Sequence, residues 1–387
     1  MAADTIQEEL KAIKQSSLYR RLRRVENDQG PTLMLDGREV INFSSNNYLG
    51  IANHPALAAA AKEAIDRYGC GSGASRLISG NMTLHEELET KLATFKGTEA
   101  ALVFNSGFQA NTGILSTLTG EGDAIFSDAL NHASIIDGCR LSRAKSIVYA
   151  HGDLNRLESA LKLEVDAGRK LIVTETIFSM DGDEAPLGGI VALAEKYGAM
   201  VMVDEAHATG IFGSTGAGVV AKLGLGERVA VQMGTLGKAL GGFGAYVAGS
   251  RALRELLINR CRSFIFTTSL PPAIMAMAMA AIDLVQQEPE RREALWNNCR
   301  ILQAGLREVG FSPGAGESPI LPLVIGDAGK CMRVCERLLE KGIFAQGIRP
   351  PTVPPGTSRL RITLMATHTH DHIDRALDAF KQVQEEA

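Results

Sequence analysis

A lysine, Lys238, stands among glycines in the stretch Gly234-Thr-Leu-Gly-Lys-Ala-Leu-Gly-Gly242. Glycines let the backbone come close to a ligand and adopt conformations that other residues avoid. An amine in such a crowded, partly dry setting loses its proton more easily, as a lysine that forms a Schiff base requires. The alternative is a glycine-rich turn with a solvated lysine. An ATP-binding loop is excluded, because it would need glycine and Ser or Thr where the chain has Gln232 and Ala239.

Two more residues with useful chemistry follow apolar runs that predict buried strands. Asp204 follows Met200–Val203. Its carboxylate either caps the next turn or pairs with a protonated pyridine nitrogen, the partner that makes pyridoxal phosphate (PLP) an electron sink. His132 follows the run Ala124–Phe126 after a short loop. Its imidazole is either a hydrogen-bonded structural group or one that stacks on an aromatic ring and moves a proton.

Two further strand ends complete the set. Ser179 follows the run Leu171–Thr174 and is a candidate donor to a phenolate. The turn Asn105–Gln109 leads into a predicted helix over 109–118, and the N-terminus of a helix favours an anion such as phosphate. Ser106 alone is equally consistent with an ordinary helix cap. The combination at successive strand ends predicts a PLP site.

The elements that would position these residues alternate between strand and helix. The strand candidates are short, apolar and without polar alternation, which is typical of a mostly parallel sheet that is buried on both faces. Ligands bind beyond the carboxyl ends of such strands. The runs are Ala101–Phe104, Ala124–Phe126, Ser146–Tyr149, Leu171–Thr174, Met200–Val203, Val229–Met233 and Ala245–Ala248.

The ends of the chain predict other structures. Residues 4–25 predict a helix that ends in the basic arm Arg20–Arg24. We predict an N-terminal arm with short strands (1–50), a large domain (51–288) and a small C-terminal α+β domain (289–387) with a closing helix from His370. His368, His370 and His372 predict a solvated helix start rather than a metal site, and no metal is expected.

Composition limits the class of partner. The chain has 387 residues, a net charge of −4 and a pI near 6.1, which give no general attraction to nucleic acid or to anionic membranes. The sequence has no apolar run of the roughly 20 residues that a membrane span needs, and its acidic start is unlike a secretion signal. Six scattered cysteines predict reduced thiols. We therefore expect a cytoplasmic enzyme that acts on small molecules.

With these residues in view, the chain resembles the α-oxoamine synthases, which are fold-type I PLP-dependent transferases. The resemblance extends from Tyr19 through the closing helix, and the motifs that carry it are specific in combination. They are Asn42-Phe-Ser-Ser-Asn-Asn-Tyr-Leu-Gly50, Asn131-His-Ala-Ser134, Ser179-Met-Asp-Gly-Asp183, Val203-Asp-Glu-Ala-His-Ala-Thr-Gly210, Gly237-Lys238, Thr267-Thr-Ser-Leu-Pro-Pro272 and Arg349-Pro-Pro-Thr-Val-Pro-Pro-Gly-Thr357.

The resemblance implies a role for each cofactor-binding residue. PLP would be bound covalently by Lys238, with Asp204 at the ring nitrogen and His132 stacked on the ring. Ser179 and His207 would bind the phenolate oxygen. The phosphate would be bound by the Gly107 and Phe108 N–H groups, by Thr235, and by Thr268 of the second subunit of a homodimer.

The resemblance also implies a reaction. The Arg349–Thr357 segment favours the member that condenses L-alanine with pimeloyl-CoA or pimeloyl carrier protein in biotin synthesis. Lys238 would remove the α-proton, and His132 would donate a proton to the acyl carbonyl. The substrate-binding residues would be Arg361 for the amino-acid carboxylate, Arg20 or Arg21 of the basic arm with Arg20 preferred, and Asn47, Arg349 and Thr352.

Alternatives remain open. A sibling enzyme would use glycine with acetyl-CoA, as 2-amino-3-ketobutyrate CoA ligases do, or serine with a long acyl chain. A regulator or scaffold that keeps the fold is less consistent with the intact set Lys238, Asp204 and His132.

Overall fold

The computed structural model describes residues 2–314 and 316–385. The chain forms two compact units. The larger unit comprises Ile51–Ser179 and Glu184–Arg292, and the smaller unit comprises Met1–Gly50, Met180–Asp183 and Glu293–Ala387. Residues of the predicted N-terminal arm therefore cluster with the C-terminal part of the chain.

The smaller unit begins with α1 (Ala2–Gln15), β1 (Thr32–Leu35) and β2 (Arg38–Asn42). The turn between β1 and β2 has left-handed backbone at Asp36 (φ 50°) and Gly37 (φ 77°), as a two-residue hairpin requires. The prediction of a helix over 4–25 is wrong beyond Gln15. The Arg349 guanidinium donates to the backbone carbonyls of Ser17 and Tyr19, so this stretch is held by contacts distant in sequence instead of by helical hydrogen bonds.

The larger unit is built on one seven-stranded sheet with strand order β3-β9-β8-β7-β6-β4-β5. Only β9 runs antiparallel to its neighbours, so the predicted mostly parallel sheet is confirmed. The elements are α2 (Pro55–Tyr68), α3 (Thr83–Lys96), β3 (Ala100–Phe104), α4 (Gly107–Leu118), β4 (Ala124–Asp128), α5 (Ala133–Ser142), β5 (Lys145–Tyr149), α6 (Leu154–Leu163), β6 (Lys170–Glu175), α7 (Leu187–Tyr197), β7 (Met200–Asp204), α8 (Val219–Lys222), β8 (Val231–Thr235), β9 (Ala245–Gly249), α9 (Arg251–Arg260), α10 (Arg262–Ile265) and α11 (Pro272–Gln287).

Burial explains why the inner strands read as unbroken apolar runs. Strands β4, β6 and β7 are buried along almost their whole length, whereas the edge strand β5 is largely exposed. Helices such as α4 and α5 pack against each other and contribute Ile114, Leu115 and Ile135 to the same core. Because β4, β6, β7 and β8 are parallel, their carboxyl ends lie at one edge of the sheet and bring together the polar residues that follow them.

The C-terminal part of the chain contains α12 (Glu290–Glu308), β10 (Ile320–Gly326), α13 (Ala328–Glu340), β11 (Ile343–Phe344), β12 (Gln346–Ile348), β13 (Ser358–Thr363) and α14 (His370–Glu385). The strands form two three-stranded sheets, β1-β2-β11 and β10-β13-β12. The short strands β11 and β12 belong to different sheets, because the chain passes from one sheet to the other at Ala345.

His368 departs from its prediction as a solvated residue. The side chain is buried and stacks on Phe43 at a ring-centroid distance of 4.5 Å. Its Nδ1 accepts from the Met365 N–H, and its Nε2 lies 3.1 Å from the Asn42 carbonyl oxygen. Burial lowers the pKa of His368 to about 3, so this histidine is a neutral core residue.

Within the described residues, no helix is long and apolar enough to cross a membrane. The same residues contain no group of three or more His, Cys, Asp or Glu side chains that could hold a metal ion. All six cysteines are free thiols, and only Cys70 is exposed.

Candidate active site

Lys238 lies in the loop that joins β8 to β9. Its Nζ atom is 2.9 Å from Nε2 of His207, which lies just beyond the end of β7. The loop passes close to the backbone of Ala52. Gly241 has φ +63°, and a Cβ atom on it would meet the Ala52 nitrogen at 2.7 Å, so glycine is required there. The lysine is half-buried, as the glycine-flanked stretch predicted.

Asp204 is the last residue of β7 and is almost fully buried. Its Oδ1 accepts from the Ala206 N–H at 2.8 Å, and its Oδ2 accepts from Asn111 Nδ2 at 2.9 Å. Asn111 lies on α4 and was not among the predicted site residues. Its position one helical turn after the predicted phosphate turn was the only sequence signal available.

The predicted phosphate turn forms a cradle for an anion. Ser106 caps α4, and its Oγ accepts from the Gln109 N–H at 3.3 Å. The N–H groups of Gly107 and Phe108 are the first two of the helix and have no intrahelical acceptor. Thr235 Oγ1 is buried and has no hydrogen-bond partner within the described chain. A Cβ on Gly107 would meet Thr235 Cγ2 at 2.9 Å, so the threonine packs against this turn.

This cradle fits the phosphate of PLP. A buried hydroxyl without a partner is costly unless a ligand supplies one, and the N-terminus of a helix favours negative charge. The lysine, the buried acid and the cradle are all brought to one edge of the sheet in the larger unit, as the sequence predicted. An amine and an anion cradle therefore lie at the same sheet edge, and this set of groups fits PLP.

His132 is the residue that caps the N-terminus of α5. Its Nδ1 accepts from the Ser134 backbone N–H at 3.2 Å and lies 2.7 Å from Ser134 Oγ. Ser134 Oγ in turn lies 2.9 Å from Asn111 Nδ2. Hydrogen bonds thus connect His132 to Asp204 through two side chains that had no predicted role.

Glu175 ends β6 directly beside Asp204 of β7. Its Oε2 accepts from the Ser179 N–H at 3.2 Å, whereas its Oε1 is buried and has no partner among the described residues. Burial, together with the negative charge of Asp204, raises the pKa of Glu175 to about 8, and the positive charge of Lys238 opposes this rise. Glu175 was not among the predicted site residues.

A fully buried ion pair lies next to Asp204 in the chain. Lys96 Nζ donates to Glu205 Oε2 and to the Ala217 carbonyl, and neither charged side chain is exposed. Glu205 Oε1 accepts from the Val220 N–H at 3.0 Å. Burial lowers the pKa of Lys96, but the negative charge of Glu205 and the hydrogen bond to it outweigh burial, so the pKa of Lys96 is raised overall.

Thr268 lies beside Asn105, the residue that follows β3 and precedes the cradle. Asn105 Nδ2 donates to the Thr268 carbonyl at 2.7 Å and to Thr267 Oγ1 at 3.2 Å. The role of Thr268 as a phosphate ligand for a second subunit stays a prediction.

The predicted substrate residues lie in the smaller unit. Arg361 is buried on β13, and its guanidinium donates to Asn46 Oδ1 at 3.2 Å and to the Tyr48 hydroxyl at 3.3 Å. Asn47 is buried beside them, and its Nδ2 donates to the Gln29 carbonyl at 3.4 Å.

Arg20, Arg349 and Thr352 share a cavity of about 950 Å³ in the smaller unit. Arg20 Nη2 donates to the Pro350 carbonyl at 3.2 Å, which ties the basic arm to the Arg349–Thr357 segment. Arg21 and Arg333 also line this cavity. The cavity therefore brings together several guanidinium groups around a space large enough for a small organic acid.

A family model described as aminotransferase class I and II matches residues 38–380. An 8-amino-7-oxononanoate synthase from Geobacter sulfurreducens is 54% identical over 380 residues, which cover 98% of this chain and 97% of the relative. A synthase of the same name from Symbiobacterium thermophilum is 53% identical over 385 residues, covering 99% and 98% of the two chains.

Solved structures agree with the sequence relatives. A structure of serine palmitoyltransferase (SPT) with PLP has a TM-score of 0.94 and 36% identity and covers 99% of this chain and 97% of its own. An 8-amino-7-oxononanoate synthase from Francisella tularensis has a TM-score of 0.77 and 30% identity, with 90% and 98% of the two chains covered. The chain is thus a fold-type I, PLP-dependent enzyme that belongs to the class I and II aminotransferase family and, within it, to the 8-amino-7-oxononanoate synthases.

Proposed function

We propose that this enzyme condenses L-alanine with a pimeloyl thioester to give 8-amino-7-oxononanoate, a step of biotin synthesis. The α-carbon of alanine bonds to the acyl carbonyl carbon, the thiol leaves, the alanine carboxylate departs as carbon dioxide and one proton is taken up. The observation that carries the proposal is 54% identity to a synthase of that name over 98% of the chain. The site in the larger unit supplies the chemistry that such a reaction needs.

PLP, when bound, supplies an electron sink for the α-carbon of the amino acid. We assign its phosphate to the N–H groups of Gly107 and Phe108 and to Thr235, because these lie together and Thr235 Oγ1 lacks a partner within the described chain. Asp204 is assigned to the ring nitrogen, and Ser179 and His207 to the phenolate oxygen. Lys238 is the covalent attachment point.

Once it is released from that covalent bond, the Lys238 amine is also the group that removes the α-proton of alanine, which it takes up on Nζ. His207 Nε2, 2.9 Å away, orients the amine for that transfer. His132 donates a hydrogen bond to the acyl carbonyl oxygen. After borohydride reduction of the loaded enzyme, mass spectrometry should find the cofactor on the peptide that contains Lys238; label on another lysine would contradict this assignment.

Arg361 is assigned to the carboxylate of alanine. A guanidinium binds a carboxylate through two parallel hydrogen bonds, and the Asn46 and Tyr48 contacts fix the orientation of this one. Arg361→Lys keeps the charge but loses the fork geometry, so the KM for alanine should rise. An unchanged KM for alanine would place carboxylate binding elsewhere.

The distal carboxylate of the pimeloyl chain is assigned to Arg20, with Arg349 and Thr352 in the same cavity. A hydrogen bond to a charged group is worth roughly 1.5–3 kcal/mol, so Arg20→Ala should raise the KM for the pimeloyl thioester about ten- to a hundredfold. Arg24→Ala is the matched control, because the Arg24 side chain already pairs with Glu26. An equal effect from Arg21→Ala alone, with none from Arg20→Ala, would transfer the role to Arg21.

The substrate pair is tested by thiol release from purified enzyme supplied with alanine, glycine or serine and with pimeloyl-CoA, acetyl-CoA or palmitoyl-CoA. Alanine with pimeloyl-CoA should be fastest. Serine with palmitoyl-CoA is a necessary arm, because an SPT structure has a TM-score of 0.94 to this chain. Faster release from glycine with acetyl-CoA, or from the serine pair, would overturn the proposal in favour of that sibling activity. Pimeloyl carrier protein, tested beside pimeloyl-CoA, identifies the donor.

We further propose a cytoplasmic homodimer. An exposed apolar patch, formed by Leu77, Ile78 and Phe266, lies on two adjacent segments of the larger unit. The segments are joined by hydrogen bonds from Ser72 Oγ to the Ser269 carbonyl and from Ser269 Oγ to the Gly80 carbonyl. The occupant of the patch is a second copy of this chain, which would also bring Thr268 to the partner's phosphate.

A further inference from the structure

A hydrogen-bonded chain of four side chains runs from Asp204 through Asn111 and Ser134 to His132. The three links measure 2.9, 2.9 and 2.7 Å. Asp204, Asn111 and Ser134 are buried, so water cannot substitute for these partners. The proton positions along such a chain follow from what each group can donate and accept.

Asp204 determines which groups donate and which accept at one end of this hydrogen-bonded chain. Its carboxylate accepts from the Ala206 N–H through Oδ1, and its Oδ2 faces Asn111. Only the NH₂ group of Asn111 can face a carboxylate favourably, because the amide oxygen would repel it. The two hydrogens of that NH₂ group serve Asp204 and Ser134 Oγ, which leaves Asn111 Oδ1 buried without a partner among the described residues.

The donor and acceptor roles of Ser134 determine those of His132. Since Ser134 Oγ accepts from Asn111, its own hydrogen is free to donate to His132 Nδ1. The Ser134 backbone N–H also donates to Nδ1, at 3.2 Å. Nδ1 therefore accepts twice, and the imidazole proton must lie on Nε2.

We infer that Asn111 and Ser134 are positioning residues that hold His132 as a neutral imidazole with its proton on Nε2. A second proton on Nδ1 would cost both accepted hydrogen bonds and would face the Ser134 N–H. His132 thus acts in the proposed condensation by donating a hydrogen bond from Nε2, as a neutral group, and not as an imidazolium acid. The identity of the hydrogen-bond acceptor, the acyl carbonyl oxygen, rests on the proposed function. The assignment of the tautomer does not depend on that function.

The charges around His132 agree with a neutral ring. The residue keeps an exposed surface, yet burial on its other side lowers the pKa of His132. The negative charge of Asp204 opposes this, and the positive charge of Lys238 adds to it. The pKa of the Glu175 carboxyl is raised to about 8, chiefly by burial, so Glu175 adds little negative charge near neutral pH.

Nitrogen-15 NMR of histidine-labelled, cofactor-free enzyme tests the inference. His132→Gln removes the His132 signals and so assigns them. We expect a protonated Nε2 and a bare Nδ1 across roughly pH 6 to 8. A proton on Nδ1 in the wild-type enzyme would overturn the inference, whatever the variants do.

Two variants test the relay. Ser134→Ala should raise the measured pKa of His132 by roughly half to one unit and populate the Nδ1–H tautomer, because one donor to Nδ1 is lost. Ser134→Thr keeps the hydroxyl and should restore the wild-type signals. Ser142→Ala is the matched control, since Ser142 is buried on the same helix and donates to the Cys139 carbonyl. A Ser134→Ala spectrum identical to that of Ser142→Ala would refute the role of Ser134.

These measurements stand apart from the test of the reaction. If thiol release fails with alanine and pimeloyl-CoA but the Nε2–H tautomer is present and depends on Ser134, only the proposed substrates are wrong. If the condensation proceeds but the tautomer is not the one assigned, only this inference is wrong.

Discussion

Removing the positive charge of Lys96 should destabilise the larger unit severely. Lys96→Met keeps most of the side-chain volume but leaves Glu205 as a buried carboxylate without its cation, and the Ala217 carbonyl loses its donor. Both partners have no exposed side-chain surface. Breaking such a pair by deleting one member costs roughly 3–5 kcal/mol.

The same helix provides a matched control. Lys91, also on α3, pairs with Asp283 at 2.5 Å, but the two side chains are 30% and 45% exposed. A pair in this setting contributes about 0–1 kcal/mol, so Lys91→Met should be nearly neutral. For a unit of this size 1 kcal/mol corresponds to about 2–4 °C in Tm, so Lys96→Met should lower the Tm by roughly 6–20 °C.

Circular-dichroism melts of the cofactor-free proteins measure this difference. The double variant Lys96→Met/Glu205→Gln should recover much of the loss, because the amide oxygen still accepts from the Val220 N–H and no unpaired charge remains. The pKa of Lys96 is raised, so its stabilisation is complete below its ordinary pKa and is lost only as pH climbs past the raised value. The deficit should therefore be constant over roughly pH 6 to 9. A Tm loss no larger than that of Lys91→Met, or no recovery in the double variant, would refute the reasoning.

Three other predictions follow from the same geometry. Asp204→Asn should still bind PLP yet slow α-proton exchange of alanine by at least roughly a hundredfold, because a neutral amide cannot stabilise a protonated ring nitrogen; near-normal exchange measured by NMR would mean that the acid lies elsewhere. The pKa of Glu175 is raised to about 8 in the folded state, so the folded protein holds this proton more tightly than the unfolded chain. The free energy of unfolding should therefore fall as pH rises from the ordinary pKa of a glutamate toward 8, by about 1.4 kcal/mol per pH unit at most. Glu175→Gln should flatten this pH dependence in denaturant titrations of the cofactor-free protein, and an unchanged slope would contradict the prediction. Ile78→Asp should weaken dimerisation roughly a hundredfold or more in sedimentation experiments, because each copy loses a side chain that the dimer would bury. Leu163→Asp, at an equally exposed position on α6, should leave assembly unchanged. An undisturbed dimer in the Ile78→Asp variant would place the interface elsewhere.

Local signals predicted the elements that have clear start and stop residues. Helix α2 runs from Pro55 to Tyr68 and has such signals, because a proline opens it and Gly69, with φ 81°, ends it. The predicted continuation of α1 failed for the opposite reason. Leu18 and Leu22 continue a helical spacing, yet Leu22 is fully exposed, and contacts from Arg349 determine the backbone there. Apolar spacing predicts a helix only where the stripe has a core to cover.

The candidate site also contains residues that local sequence signals could predict and residues that they could not. Lys238, Asp204 and the cradle at Gly107 could be predicted because each lies at the end of an apolar strand or within three residues of it. Asn111 could not, because its partner Asp204 is 93 residues away and the link exists only once α4 packs near the end of β7. His368 is similar, since nothing local indicates that its ring stacks on Phe43.

The placement of β9 has a consequence for how the enzyme is made. Strand β3, which leads into the cradle on α4, has β9 as its one neighbour in the sheet of the described chain. Their residues pair Ala101 with Ala248, so this edge cannot close until most of the larger unit has emerged from the ribosome. Pairings of such long sequence separation form slowly. During synthesis there is therefore a long interval in which Gly107, Thr235 and Lys238 have not yet come together. On the proposed assignment of the site, PLP can bind only after the ribosome has completed β9.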